Sequence, residues 1–215
     1  MRIQPKAAIF DMDGTLLNTM PYWRYTTLEY LLKHDLPVRN EDLVRMIDTS
    51  SRQLLFEIAE REGIDIGTRA EVVKELEDFM HRHYLMDAQP KRGVQAYLER
   101  LKNSGVPMCV ATAAPRGFGR DGLRRLGLDR YFEFITDIYE VGLEKYEPKF
   151  FEAVAARLGV TPRDCCVYED ALYAMRAADR AGCTIVAIED RTAQNDREEI
   201  IGIADVYVRD YEALM

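Results

Sequence analysis

The chain has 215 residues, 47% of them hydrophobic, and a net charge of −8, which suits a globular protein with one core domain or a core with a smaller inserted domain. The acidic balance argues against a broad surface for nucleic acid or anionic lipid. No apolar run reaches the ~18 residues of a membrane helix, no signal peptide is recognisable, and the four cysteines form no C-x-x-C pair. We therefore expect a cytoplasmic, monomeric protein with reduced cysteines and no nucleic-acid or membrane partner.

From the first strand onward, short apolar segments alternate with amphipathic segments. Strands are predicted at 7–11, 107–111, 132–136, 165–168, 184–188 and 205–208. Helices are predicted at 94–103, 119–126, 149–158 and 171–181. Several of the strands are continuous apolar runs, which is typical of strands covered on both faces. The alternation predicts an α/β fold with a doubly wound parallel sheet.

One region breaks this alternation. Between residues 21 and 86 the pattern is helical throughout, with segments at 22–33, 40–47, 51–62 and 69–85. Such an insert is far longer than an ordinary crossover connection. We therefore predict a small all-helical cap domain over 18–87, inserted after the first strand, and a core built from 1–17 and 88–215. The alternative is one long helical crossover within a single domain.

Polar side chains follow several of the predicted strands, where ligands of open α/β sheets bind. Asp11 and Asp13 follow the first strand, Thr112 the second, and Glu169 and Asp170 the fourth, and Lys145 lies in a loop ahead of the fourth strand. Two aspartates at the end of a buried strand repel each other and lose solvation, so a cation is the simplest compensation. The sequence therefore predicts one site at this edge of the sheet.

Oxygen ligands of this kind suit Mg²⁺, which retains several waters. Asp11 and Asp170 can supply carboxylates, and Asp13 can supply its backbone carbonyl. Thr112 and nearby backbone N–H groups, such as that of Ala113, can hold a phosphate. Two catalytic carboxylates can then divide the work, because one can attack phosphorus while the other handles a proton.

The order of these motifs resembles that of the haloacid dehalogenase-like superfamily. The resemblance rests on Asp11-Met-Asp13-Gly14-Thr15 as first motif, Thr112 as second, Lys145-Tyr-Glu-Pro148 in place of the usual Lys-Pro-x-Pro as third, and Glu169-Asp170 as fourth. The helical insert after the first motif is similar to the cap of the β-phosphoglucomutase-like branch. The fold implied is a Rossmann-like core with that cap.

The resemblance also implies roles for the residues of the site. Asp11 is the expected nucleophile, forming an aspartyl-phosphate, and Asp13 the expected general acid and base. Gly14 is expected to allow a tight turn and Thr15 to fix the loop. The resemblance further implies that Mg²⁺ and Lys145 screen the nucleophile from phosphate, with Asp170 as metal ligand and Glu169 beside it as ligand or neighbour.

Three further residues are candidates for contact with substrate. Arg52 lies where sugar-phosphate members of the branch often keep an arginine, although it also suits a solvated helix start. Trp23 stands where the mutases keep a histidine, and it either lines the pocket or packs the cap. Arg116 follows Thr112 closely and either reaches the substrate or lies in an exposed loop.

The leading hypothesis is a Mg²⁺-dependent phosphatase that acts on a small phosphorylated metabolite such as a sugar phosphate. A hexose phosphomutase of the β-phosphoglucomutase type is the alternative enzyme. A signalling receiver domain is disfavoured, since only Asp137 ends the third strand and the helical insert is foreign to it. A catalytically silent binding module is disfavoured by the complete set of reactive residues.

Overall fold

The computed structural model describes residues 5–46, 49–114 and 117–215, apart from the side chain of residue 51. Its strands are β1 (Ala7–Phe10), β2 (Met108–Thr112), β3 (Phe134–Asp137), β4 (Cys165–Glu169), β5 (Thr184–Ile188) and β6 (Val206–Val208). They form a six-stranded parallel sheet in the order β3-β2-β1-β4-β5-β6. This is the order of a doubly wound fold, so the predicted fold class is confirmed.

The helices follow the strands in the chain, and the first five of them lie between β1 and β2. They are α1 (Met20–Lys33), α2 (Asn40–Arg45), α3 (Ser51–Glu62), α4 (Arg69–Met86), α5 (Val94–Asn103), α6 (Phe118–Arg125), α7 (Ile138–Val141), α8 (Pro148–Arg157), α9 (Leu172–Ala181) and α10 (Arg197–Ile203). The helices α7 and α10 are absent from the sequence-based prediction, since neither is long enough to show a clear helical period. Predicted helix 40–47 ends at Arg45, and residue 47 lies outside the described residues.

The central strand β1 is buried on both faces, which explains its continuous apolar sequence. Ile9 pairs with Cys109 on one side and with Val167 on the other. On one face of the sheet Phe150 and Phe151 are fully buried in a core cluster that also contains Ile9. On the other face the ring of Phe10 stacks on that of Tyr168, with centroids 4.2 Å apart. Since both faces are covered, polar groups at β1 are confined to the strand ends.

Chain contacts divide the protein into two compact units, Met1–Asn18 with Ala88–Met215 and Thr19–Asp87. The first contains the whole sheet. Asn18 falls in this unit, one residue beyond the predicted boundary, because its backbone N–H bonds to the carbonyl of Gln89 at 2.9 Å. All four cysteines lie in this unit, buried and without disulfide bonds.

The second unit contains α1 to α4 and no strand among its described residues. Its core includes Leu31 of α1, Leu55 of α3 and Phe79 of α4. Asp42 is fully buried and accepts two hydrogen bonds from Arg61, at 2.7 and 2.8 Å. These hydrogen bonds lower the pKa of Asp42. Throughout the described residues, no helix combines the length and the apolar character that crossing a membrane requires.

Candidate active site

The carboxyl end of β1 places Asp11 where the strand order of the sheet reverses. β2 lies on one side of β1 and β4 on the other, so a crevice forms at this point and is the usual ligand site of such folds. The backbone N–H of Asp11 still bonds to the carbonyl of Tyr168, at 2.9 Å. This bond holds the Asp11 backbone against β4, and the residue is 6% exposed.

The turn after Asp11 brings Thr15 back toward the sheet. Gly14 has a φ of +82°, a left-handed conformation that favours glycine. Its N–H bonds to the carbonyl of Leu17 at 2.8 Å, which closes the turn. The buried Thr15 hydroxyl donates a hydrogen bond to Asp170 Oδ1 at 3.2 Å. The turn thereby ties the loop after β1 to the loop after β4.

Lys145 lies between α7 and α8 and is 3% exposed. Its Nζ forms ion pairs with Asp11 Oδ1 and with Glu169 Oε2, the latter at 2.7 Å. Burial by itself lowers the pKa of Lys145, but the charges of Asp11 and Glu169 outweigh burial and raise it. The lysine is therefore a permanent positive charge between two strand ends.

Three buried acids meet beside this lysine. Carboxylate oxygens of Asp11, Glu169 and Asp170 all lie within 4.8 Å of one another. Burial, followed by the charges of Glu169 and Asp11, raises the pKa of Asp170 well above its usual range. Burial and the charge of Asp11 also raise the pKa of Glu169, against the opposing effect of Lys145. One lysine cannot neutralise three carboxylates, so the cluster can bind a metal cation.

The oxygens of the cluster differ in how they are held. Glu169 Oε1 accepts hydrogen bonds from the backbone N–H groups of Asp170 and Ala171, at 3.1 and 3.0 Å. Asp11 Oδ2 is buried and has no hydrogen-bond partner among the described residues. A buried carboxylate oxygen without a partner is costly, and a cation would compensate for it. The unpartnered oxygen of Asp11 therefore indicates that these residues suit a metal ion.

The remaining predicted residues of the core lie at the same edge or outside the described residues. Thr112 is the last residue of β2, and its Oγ1 accepts a hydrogen bond from the backbone N–H of Ala114 at 3.0 Å. Ala113 between them is exposed. Asp13 is partly exposed at the turn, and its carboxylate is not part of the three-acid cluster. Arg116 lies outside the described residues.

The two cap candidates belong to the helical unit. Arg52 is exposed near the start of α3 and has no ion pair with a described residue. This helix is capped by Ser50, whose Oγ accepts a hydrogen bond from the N–H of Gln53 at 3.4 Å. Trp23 is partly buried in α1.

The residues after β5 are absent from the sequence-based prediction of the site. Asp190, two residues beyond that strand, pairs with Lys91 Nζ at 2.7 Å, and the same Nζ donates to the carbonyl of Glu189 at 3.0 Å. The rule that reactive residues follow parallel strands would have found Glu189 and Asp190, had it been applied to every strand.

Comparison with known proteins agrees with this geometry. The sequence profile described as haloacid dehalogenase-like hydrolase matches residues 8–188. A phosphorylated carbohydrates phosphatase of Thermotoga maritima is 32% identical over 187 residues, covering 82% of this chain and 82% of that protein. A fructose-1-phosphate phosphatase of Escherichia coli is 28% identical over 180 residues, covering 84% and 94% of the two chains.

A solved structure shares the fold over the whole chain. The crystal structure of a putative β-phosphoglucomutase from Thermotoga maritima superposes with a TM-score of 0.79 at 24% identity, covering 100% of this chain and 97% of that one. The profile match and the 32% identical relative confirm the predicted superfamily and enzyme class, the class being a hydrolase with phosphatases among its relatives. The chain belongs to the haloacid dehalogenase-like hydrolase family.

Proposed function

We propose that this protein is a Mg²⁺-dependent phosphatase that hydrolyses a small phosphorylated carbohydrate through an aspartyl-phosphate on Asp11. The observation that carries the proposal is the environment of that carboxylate. It is buried at the sheet's switch point, its Oδ1 is held by Lys145, and its Oδ2 has no hydrogen-bond partner among the described residues. Such a group is held in a fixed orientation by Lys145, as a nucleophile must be, while its second oxygen remains without a partner in the protein.

In the first step, an oxygen of Asp11 forms a bond to phosphorus while the bond from phosphorus to the alcohol oxygen breaks. Asp13 gives its proton to the departing alcohol. In the second step, water attacks the phosphorus of the aspartyl-phosphate, Asp13 accepts a proton from that water, and Asp11 leaves as a carboxylate with inorganic phosphate as product. General acid and base help of this kind contributes ~10²–10⁴-fold. The partial exposure of Asp13 supports this role, since it must exchange protons with water.

The metal ligands in this proposal are Asp11, Asp170 and the backbone carbonyl of Asp13. When bound, Mg²⁺ supplies positive charge that draws together an anionic nucleophile and an anionic phosphate. Glu169 is assigned to hold Lys145 and the backbone of residues 170 and 171, because its oxygens already meet those groups. Thr112, Ala113, Gly14 and Thr15 surround the phosphate, with the exposed backbone at Ala113 as an N–H donor.

The substrate class is inferred from the relatives and from the helical unit. Their names specify phosphorylated carbohydrates and fructose 1-phosphate. We assign the unit Thr19–Asp87 as a cap that reads the leaving group, with Arg52 and Trp23 as substrate contacts and Arg116 as a third. An arginine without an ion pair, as Arg52 is, is free to hold a hydroxyl or an anionic group of the substrate.

The test is phosphate release from a panel of sugar monophosphates, with and without Mg²⁺, for the natural protein and two variants. Asp11→Asn removes the nucleophile and should abolish release. Asp137→Asn is the matched control, because Asp137 also ends a strand but its Oδ1 accepts hydrogen bonds from the N–H groups of Tyr139 and Glu140, which asparagine preserves. The control should retain activity.

Release that persists in Asp11→Asn would refute the assigned nucleophile. Conversion of glucose 1-phosphate to glucose 6-phosphate in the presence of a bisphosphate primer, without net phosphate release, would favour the mutase alternative instead. Loss of activity in Asp137→Asn with activity retained in Asp11→Asn would place the nucleophile at Asp137 and refute the proposal.

A further inference from the structure

A cavity of about 180 Å³ lies in the sheet unit, beyond the ends of β4, β5 and β6. Asp170 of the three-acid cluster forms part of its wall. The volume is more than ten times what a single water needs, which is about 10–15 Å³ by the same kind of measure. A group the size of a phosphate fits at the same edge of the sheet as the candidate active site.

Three arginines from separate segments line this cavity. Arg191 follows β5, Arg197 begins α10, and Arg209 follows β6. The amide of Gln194 lines it as well. Guanidinium groups present forked donors that match a phosphate or carboxylate, and three of them around one cavity favour an anionic occupant.

The acidic residues of the wall are already engaged within the protein. Asp190 pairs with Lys91 at 2.7 Å and accepts hydrogen bonds from the N–H and hydroxyl of Thr192. Glu189 accepts a hydrogen bond from the hydroxyl of Tyr207 at 2.8 Å. Neither Asp190 nor Glu189 forms an ion pair with one of the three arginines, and the third acid of the wall, Asp170, belongs to the three-acid cluster.

One of the three arginines packs against an aromatic ring, and the other two form no ion pair with a described residue. Arg197 lies over the ring of Tyr207, with its Cζ 5.4 Å from the ring centroid. Arg191 and Arg209 have no ion pair with any described residue. Other arginines of the chain form ion pairs with carboxylates, as Arg61 does with Asp42 and Arg92 with Glu212, whereas Arg191 and Arg209 keep their donors for a ligand.

We propose that this cavity is a second oxyanion site, which adjoins the site of phosphoryl transfer at Asp170 and binds a phosphate-class group through Arg191, Arg197 and Arg209. The group has two sources, a second anionic group on the substrate or a free oxyanion that acts as an effector. Binding at the cavity does not depend on the proposed function, whereas the choice between the two sources does.

The test uses inorganic sulfate as probe and the arginine side chains as reporters. The ¹⁵N-labelled protein is titrated with sulfate while the Nε–H signals of Arg191 and Arg209 are followed, each assigned with its own Arg→Gln variant. Both signals should shift and saturate with one common midpoint. Arg163 is the internal control, since it lies before β4 at the opposite edge of the same sheet, and its signal should not saturate. The proposal would be overturned if the chemical shifts of Arg191 and Arg209 changed linearly with sulfate concentration, as that of Arg163 should.

Kinetics then separate the two sources. The double variant Arg191→Gln/Arg209→Gln is compared with Arg163→Gln, which loses charge away from the cavity. If the cavity holds a second group of the substrate, KM for a sugar bisphosphate rises at least tenfold in the double variant while KM for the monophosphate is unchanged. If it holds a free oxyanion, sulfate alters the turnover of saturating monophosphate in the natural protein and not in the double variant. If no substrate is turned over, the proposed function fails, and the sulfate titration still decides the cavity.

Discussion

Replacing Asp170 by asparagine should stabilise the metal-free protein while removing its response to Mg²⁺. The carboxylates of Asp11, Glu169 and Asp170 lie within 4.8 Å of one another, beside the single positive charge of Lys145. Two unit charges at that separation repel by about 3.5 kcal/mol at an effective dielectric constant of ~20. Attraction to Lys145 and partial protonation of Asp170 reduce the net gain in the variant to about 2 kcal/mol, by the same reasoning. Asparagine keeps Oδ1, so the hydrogen bond from Thr15 is preserved.

The effect has a definite dependence on pH. The pKa of Asp170 is raised in the folded protein, so the folded state holds this proton at pH values where the unfolded chain has lost it. Stability is therefore lost as pH rises from the unfolded pKa, about 3.9, through the folded one. The variant escapes that loss. Its advantage should be small near pH 4 and grow toward pH 8.

The assay is thermal unfolding in EDTA and in Mg²⁺ at several pH values. For a chain of this length, 2 kcal/mol corresponds to a rise in Tm of about 4–8 °C. Magnesium at 100 times its Kd should add about 2.7 kcal/mol to the natural protein, and almost nothing to the variant. Asp190→Asn is the control, because it breaks the pair with Lys91 and should lower stability by about 3 kcal/mol.

Two results would refute this reasoning about the acidic cluster. The first is a lower Tm for Asp170→Asn than for the natural protein in EDTA at pH 8. The second is a Mg²⁺-induced rise in Tm that is equal in the variant and in the natural protein.

Three further predictions concern Lys145, Thr112 and Arg52. Lys145→Ala leaves the carboxylates of Asp11 and Glu169 buried without their cation, so it should lower the free energy of unfolding by about 3 kcal/mol or more and abolish phosphate release. Urea unfolding and the phosphate-release assay test this, and an unchanged urea midpoint would contradict it. Thr112→Val removes the hydroxyl that accepts a hydrogen bond from the N–H of Ala114, and kcat/KM for phosphate release should fall at least tenfold. Thr112→Ser keeps the hydroxyl, and its kcat/KM should stay within threefold of that of the natural protein. Equal losses of kcat/KM in both variants would exclude a role for the hydroxyl. Arg52→Gln should raise KM for a sugar phosphate about tenfold, which corresponds to about 1.4 kcal/mol of binding free energy, with no change in Tm. Arg69 is also exposed, and Arg69→Gln is the control. An unchanged KM in Arg52→Gln would show that Arg52 is a solvated residue without a role in binding.

Sequence patterns were sufficient to predict the sheet and the edge at which its reactive residues lie. Short continuous apolar segments such as Ala7–Phe10 are typical of strands covered on both faces, and helices between them indicate parallel crossovers. Parallel strands bring their carboxyl ends to one edge, so Asp11, Thr112 and Asp170 had to be neighbours although they are far apart in the chain. Local patterns were sufficient for this because they follow from backbone geometry and burial.

Short elements were beyond the reach of such patterns. The helix α7 has four residues, and its start depends on Asp137, whose Oδ1 accepts the N–H groups of Tyr139 and Glu140. A helix of one turn is not stable on its own. The surrounding structure therefore decides that it forms, and with it that Asp137 serves as a cap.

The sequence resemblance predicted that Lys145 screens Asp11, but the distances between individual charged groups depend on the tertiary structure. Lys145 is separated from Asp11 by 134 positions in the sequence, yet its Nζ lies between Asp11 and Glu169. Arg191, Arg197 and Arg209 share one cavity because β5, α10 and β6 end or begin around it. Sequence periodicity reports which face of an element is buried. It does not report which charged groups form pairs, because pairing depends on distances of a few ångströms between loops. The interaction energy of two buried charges changes steeply with their separation and with the water that remains around them.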